Sequence, residues 1–119
     1  MAQTLYSGGF GLTLLFSPSM YFKGGAATYW NNALKANSAN EWFAQALGTV
    51  LTFQALASWM SSGKKNAAVA TMNFYSNLVF QYLFYKALSN DDANKGMWKV
   101  QNVLGLVMLY LSGNKYMVV

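Results

Sequence analysis

The chain has 119 residues, of which 55% are hydrophobic, 17% are aromatic and only 9% are charged, whereas a typical soluble domain carries about 25% charged residues. Its eight cations are all lysine, its three acids are Glu41, Asp91 and Asp92, and it contains no His and no Cys. This composition excludes disulfides, Ser-His and thiol catalysis, imidazole-ligated haem and ordinary zinc or iron-sulfur sites. The net charge of +5 is spread over short loops and forms no basic stripe, so we expect it to contact anionic lipid head groups or acidic neighbours and not nucleic acid. We also expect no soluble substrate.

Charged residues are missing from four long windows, 1–22, 42–63, 66–85 and 100–114. A bilayer core of ~30 Å needs roughly 20 helical residues. The spacing therefore predicts an all-α integral membrane protein: one domain, 1–119, folded as a bundle of four transmembrane helices over about 5–22, 42–60, 67–88 and 97–111. The alternative is a four-helix bundle in water, which the scarcity of charge disfavours.

The first predicted helix carries closely spaced glycines near its start and the only proline of the chain, Pro18, near its end. Proline lacks a backbone donor, so it should kink or end the helix. In the connection 23–40, Tyr29 and Trp30 predict a short interfacial segment at the head-group level. A loop folded over its own bundle is the other interpretation of that segment.

Small residues recur every four positions in the second predicted helix, at Ala44, Gly48 and Thr52. Such a stripe favours close contact with another helix. Gly63, followed by Lys64 and Lys65, marks the end of this helix, because glycine and cations suit a helix C-terminus.

Three amides of the third predicted helix, Asn73, Asn77 and Gln81, follow one another at i, i+4 and i+8 and so lie on one face. Away from water an unpaired amide is costly, so this face should meet a neighbouring helix, a cofactor or another subunit. Plain hydrogen bonding between helices is one interpretation. The other is that the amide oxygens bind a magnesium porphyrin or orient the head of a lipid or quinone.

The fourth predicted helix follows a polar turn in which Asp91, Asp92 or Asn94 can cap its N-terminus. Gln101 and Asn102 lie near its start, and Gly105 permits close approach.

No ionisable residue lies at the middle of a predicted span, although transporters and proton pumps normally keep one there. An enzyme is disfavoured because only Lys and Tyr remain as acid-base groups. We therefore predict a non-catalytic accessory subunit of a large organellar membrane complex. Its partners would be membrane lipids and other integral membrane subunits.

The layout also carries a resemblance. Phe16-x-Pro18 closes the first helix, Trp42-Phe43 opens the second, and Asn102-x-x-Gly105 precedes Leu109-Tyr110-Leu111 in the fourth. In these features the chain resembles small four-helix membrane proteins of the DoxX-like kind. It also looks like lineage-specific accessory subunits of algal photosystem and antenna complexes.

The photosystem resemblance implies a thylakoid location, chlorophyll and carotenoid contacts, and structural lipids. It makes Asn73, Asn77, Gln81 and Gln54 the candidate magnesium ligands. Because the chain lacks His, such sites would have to use amides, Glu41, backbone carbonyls or water. A mitochondrial respiratory complex in the inner membrane is the second placement.

The rival hypothesis is a free-standing small membrane protein that binds a quinone or lipid in the centre of its bundle. The direction of the amides distinguishes the two. Convergence of Gln54, Asn77 and Asn102 inside the bundle would favour an internal pocket or plain packing, and outward-facing amides would favour partner subunits or pigments.

Overall fold

The computed structural model describes residues 2–22, 28–30, 38–90 and 93–114. These residues form four α-helices, α1 (Ala2–Phe16), α2 (Ser38–Met60), α3 (Ala67–Leu88) and α4 (Lys95–Asn114), and a short 3-10 helix, Pro18–Tyr21, after α1. The all-α prediction is therefore correct. The first helix is shorter than the sequence predicted and α2 begins four residues before the predicted span.

The predicted membrane crossing, however, is wrong. Within the four described ranges, no helix combines the length and the apolar character that are needed to cross a bilayer. The sequence argument relied on missing charges and gave too little weight to uncharged polar residues such as Gln54, Asn73 and Asn77, which lower the hydropathy of the same windows. The same finding overturns three related predictions: that the protein is transmembrane, that it lies in the thylakoid membrane and, as the alternative, that it lies in the mitochondrial inner membrane.

Helix ends follow the local sequence signals. α1 ends two residues before Pro18, as the missing backbone donor predicts. The side-chain oxygen of Asn66 accepts from the backbone N–H of Val69 and caps α3, and Asn94 caps α4 in the same way through Met97. Gly63, at φ +74°, lies in the left-handed region in the turn after α2.

The helices are arranged as two pairs. α1 packs closely along α2 and α3 packs along α4, whereas α1 meets α4, and α2 meets α3, at only a few points. Gly48 of the predicted small-residue stripe makes the first pair tight, because its backbone lies directly against that of Gly11. The stripe prediction is thus confirmed.

Most of the predicted interfacial segment, residues 23–27 and 31–37, lies outside the described residues. In its described part, Tyr29 is only 9% exposed and lines the cavity between the helices, which agrees with the second interpretation, a loop folded over its own bundle. The segment is joined to the start of α4, because the backbone N–H and the side-chain amide of Asn94 donate to the carbonyls of Tyr29 and Thr28, each at 2.8 Å.

Several of the buried side chains are polar, and many of the exposed ones are apolar. The two most completely buried side chains are Ser7 and Ser58, and the amides of Gln54, Asn73 and Asn77 are all at most 6% exposed. Many large apolar side chains instead lie outward, for example Phe53 at 64% and Val103 at 60% exposed, although a few such as Leu51 are buried. Polar groups therefore connect the helices, and the outer faces of α2, α3 and α4 are apolar.

Candidate functional site

A cavity of about 380 Å³ separates the two helix pairs. Side chains from all four helices, the 3-10 helix and residues 28–30 line it. Its volume is within the range of sites for small molecules, roughly 300 to 1,000 Å³. The few contacts between the pairs thus leave a space large enough for a ligand.

The wall of the cavity is aromatic and uncharged. Ten of the 21 described residues that line it are Phe, Tyr or Trp, and none is Lys, Asp or Glu. The six polar ones are Gln3, Ser7, Asn40, Gln54, Asn77 and Gln101. An unpaired ion would be strongly disfavoured in such a site, so the wall suits a neutral molecule. The described residues also contain no acidic, His or Cys cluster that could hold a metal ion.

One set of buried hydrogen bonds joins α2 to α3. The Gln54 Nε2 donates to Asn73 Oδ1 at 3.0 Å, and the Asn73 Nδ2 donates to Ser58 Oγ at 3.0 Å. Ser58 Oγ also lies 3.3 Å from Asn73 Oδ1. The oxygen of Asn73 is therefore already engaged, whereas the only hydrogen bond of Gln54 to a described side chain is the one that its Nε2 donates, so its Oε1 accepts none from a described residue.

A second set joins α3 to α1 and continues to the cavity wall. The Asn77 Nδ2 donates to Gln3 Oε1 at 2.9 Å, and the Gln3 Nε2 donates to Ser7 Oγ at 2.6 Å. Asn77 Nδ2 also lies 3.1 Å from the Ser112 Oγ of α4. The hydroxyl proton of Ser7 and the carbonyl oxygen of Asn77 have no partner among the described residues, and both residues line the cavity.

A third set runs through Gln101. The Tyr29 hydroxyl donates to Gln101 Oε1 at 2.7 Å, and Gln101 Nε2 donates to the Tyr6 oxygen at 2.7 Å. Because Tyr6 accepts this bond, its own proton must be directed elsewhere, and no described residue accepts it. Tyr6, like Ser7, is thus a donor at the cavity wall.

Burial keeps these two phenols protonated. It raises the pKa of Tyr6 from 10.0 to about 12, with the hydrogen bond from Gln101 as a smaller opposing effect. It likewise raises the pKa of Tyr29 to about 12, assisted by repulsion from the neighbouring phenols Tyr21 and Tyr6. Both side chains are therefore neutral hydrogen-bond donors at ordinary pH.

Aromatic rings also pack around Tyr29 at the cavity wall. Trp98 lies edge-on to Tyr29 with ring centroids 5.0 Å apart, and it also contacts Trp30 at 5.5 Å and Phe84 at 5.7 Å. Its indole N–H donates to the Tyr29 carbonyl at 2.9 Å. This tryptophan therefore fixes the connection between α1 and α2 against the second helix pair.

The structure separates the predicted site residues into two groups. Gln54, Asn73 and Asn77 converge between the helix pairs, and of these Gln54 and Asn77 line the cavity. Gln81 lies instead between α3 and α4, where its amide donates to Asn102 Oδ1 and its buried oxygen has no partner among the described residues. Asn102 therefore does not join the central amides.

Sequence reasoning did not single out Gln3, Tyr6 or Ser7 of α1. Gln3 and Ser7 are spaced i, i+4 on a charge-free helix, the same pattern that identified Asn73 and Asn77. The i, i+4 spacing could therefore have identified Gln3 and Ser7 from the sequence.

Comparison of the chain with protein-family models, with curated proteins and with solved structures gave no match.

Proposed function

We propose that the protein binds a neutral, largely apolar small molecule in the cavity between its two helix pairs, without transforming it. One observation carries this proposal: a cavity of about 380 Å³ whose described lining residues are largely aromatic and uncharged, with unpaired hydrogen-bonding groups among them. A mostly apolar pocket with a few placed polar groups is the usual form of a small-molecule site. Gln54 and Asn77 point inward although Asn102 does not join them, which favours an internal pocket or plain packing over outward contacts with partner subunits. The unpaired groups on the cavity wall favour the pocket.

The proposal keeps the expectation of a non-catalytic protein. The described residues of the cavity wall offer hydroxyls and amides but no carboxylate, and the chain has no His or Cys to activate a nucleophile. The ligand classes named from the sequence, a quinone or a lipid, remain candidates, provided that the part inside the cavity is uncharged.

A matched pair of leucines on α2 tests the proposal. Leu47 lines the cavity and is 40% exposed, whereas Leu56 is 45% exposed and does not line it. The Leu47→Trp variant should fill part of the cavity and weaken binding of a neutral naphthalene probe at least tenfold. The Leu56→Trp variant should bind the probe as the wild type does.

Binding is measured by isothermal titration calorimetry on the purified full-length chain. The Leu56 control is essential because the exposed apolar faces could also adsorb the probe. Equal loss in both variants, or no saturable binding to the wild type, would contradict the proposal.

The second candidate function is the accessory-subunit role. It is favoured by the exposed apolar side chains of α2, α3 and α4, since large exposed apolar patches mark contact surfaces. In this role partner chains would cover those faces. The chlorophyll, carotenoid and structural-lipid contacts remain predictions, although the engagement of Asn73 Oδ1 by Gln54 and Ser58 disfavours it as a magnesium ligand.

Substitutions on the outer faces test this second role. Val103 of α4 is 60% exposed and does not line the cavity. If partner chains cover it, Val103→Glu should release the chain from a large native particle, as seen by size separation and mass spectrometry after gentle extraction. Migration of the wild-type chain alone would contradict the accessory-subunit role.

A further inference from the structure

We infer that the ligand is an aromatic compound that carries a hydroxyl group on its ring. The inference rests on the proposed function and names the chemical class of its ligand. It follows from two properties of the cavity wall, the direction of its hydrogen-bond chains and the share of aromatic residues in it.

Two hydrogen-bond chains end in a free donor at the cavity. In the first, Asn77 donates to Gln3 and Gln3 donates to Ser7, whose proton has no acceptor among the described residues. In the second, Tyr29 donates to Gln101 and Gln101 donates to Tyr6, whose proton is also left over. Each chain polarises its last hydroxyl and strengthens it as a donor.

Acceptors without a partner among the described residues line the same cavity. Asn77 Oδ1 accepts no hydrogen bond from the described residues, and it belongs to the same chain as Ser7 through the Gln3 amide. Gln54 Oε1 is a second such acceptor on the wall. Both oxygens face the cavity, so a ligand that fills it would take them out of contact with water, and it should supply a donor as well as an acceptor.

A hydroxyl group meets both requirements, because it donates one hydrogen bond and accepts others. A carbonyl or an ether only accepts, and it would leave the amide oxygens unpaired. The hydroxyl must also remain neutral, since no cation among the described residues lines the cavity.

The rest of the wall favours a ring over an acyl chain. Ten of the 21 described lining residues are aromatic, whereas 17% of the whole chain is. Lining rings already meet edge to face, as for Phe10 with Tyr29 at 86° and Tyr29 with Trp98 at 84°. A planar ring can extend this packing, which an acyl chain cannot.

Three uncharged probes separate these features: 1-naphthol, its methyl ether and 1-decanol. Calorimetry on the full-length wild-type chain should show 1-naphthol binding about tenfold more tightly than the methyl ether, a ratio that one good hydrogen bond can produce. It should also bind more tightly than 1-decanol, which keeps the hydroxyl and lacks the ring.

Variants of the cavity wall then test which residues bind the hydroxyl group of the ligand. Ser7→Ala and Tyr6→Phe each remove one donor, and at least one of them should reduce the ratio between 1-naphthol and its methyl ether towards one. Ser76→Ala and Tyr110→Phe change the same residue types on α3 and α4 away from the cavity and should leave the ratio unchanged.

The outcomes are distinct. Equal binding of 1-naphthol and its methyl ether to the wild type overturns the inference and leaves the proposed function standing. Equal or tighter binding of 1-decanol overturns the ring requirement, and a ratio unaffected by both donor variants overturns the assignment to Ser7 and Tyr6. Binding of none of the three overturns the proposed function itself.

Discussion

The backbones of Gly11 in α1 and Gly48 in α2 are in direct contact. A Cβ atom built on Gly48 would lie 2.7 Å from the Gly11 carbonyl oxygen and 2.6 Å from the Leu15 backbone nitrogen. Both are backbone atoms, which cannot move aside as the end of a flexible side chain can. The spacing of the first helix pair, and with it one wall of the cavity, depends on these two glycines.

The variant Gly48→Ala should therefore destabilise the protein by about 2 to 3 kcal/mol, through overpacking against backbone. Gly9→Ala is the matched control, because nothing lies within 4 Å of a Cβ at Gly9. Alanine is the better helix former by up to ~1 kcal/mol, so this control should be neutral or stabilising. Chemical denaturation measures both, and equal effects of the two variants would argue against the close contact.

Asn73 should be the most sensitive polar residue between α2 and α3. The Asn73→Leu variant leaves Gln54 Nε2 and Ser58 without their partner, at a cost of about 2 to 3 kcal/mol. The double variant Gln54→Leu, Asn73→Leu should recover part of that loss, because it removes the Gln54 amide as well. A double-mutant cycle by denaturation measures the coupling, and the exposed Thr71→Ala on the same helix should change stability by less than about 0.5 kcal/mol. Strict additivity would contradict the pairing.

Stability should decrease at alkaline pH because of Tyr6 and Tyr29. Both phenols have a pKa near 12 in the folded protein and near 10 in the unfolded chain. Between these values the folded state keeps protons that the unfolded state has lost, so the free energy of unfolding falls as pH rises from about 10 to about 12.

Denaturation at a series of pH values tests this dependence. Burial also raises the pKa of Tyr21, so Tyr6→Phe removes one of several late-ionising phenols, and the stability of this variant should decrease less steeply than that of the wild type. Tyr29→Phe should act in the same direction, and it also removes the donor to Gln101. An unchanged slope in both variants would show that the two hydroxyls are not buried as described.

Trp98 should contribute to stability through both its ring and its N–H group. Trp98→Phe loses the hydrogen bond to the Tyr29 carbonyl and should cost about 1 kcal/mol. Trp98→Ala also loses the ring contacts with Tyr29, Trp30 and Phe84, and it should cost about 3 to 5 kcal/mol. Trp59→Phe, at a position 58% exposed on α2, is the control and should be close to neutral. Similar losses at both tryptophans would contradict the assigned role.

Local signals in the sequence predicted the helices well and their surroundings poorly. Pro18, Gly63 and Asn94 act through nearby backbone atoms, so their effects are visible in sequence. The same holds for the shared face of Asn73 and Asn77. Contacts between residues distant in sequence decide which side of a helix meets water, another helix or a partner. The absence of charged residues does not reveal those contacts.

The cavity itself was not visible in the sequence. It is formed by residues such as Gln3 and Tyr6, whose partners Asn77 and Gln101 lie 74 and 95 positions away. No periodicity records such separations. Gln81 shows the complementary limit: it shares the predicted amide stripe, yet the rotation of α3 turns it towards Asn102 and away from the centre.

The sparse contact between the two helix pairs has a consequence for the order of folding. Contacts within a pair, and the α2–α3 hydrogen bonds between the pairs, join helices that are adjacent in sequence, whereas the contacts of α1 with α3 and α4 must close loops of more than 70 residues, which costs more chain entropy. Each pair should therefore form early, and docking of α1 on α3 and α4 should complete the fold. Amide hydrogens at the contact between the pairs should exchange sooner than those between Gly11 and Gly48, and a bound ligand should slow the first group far more than the second.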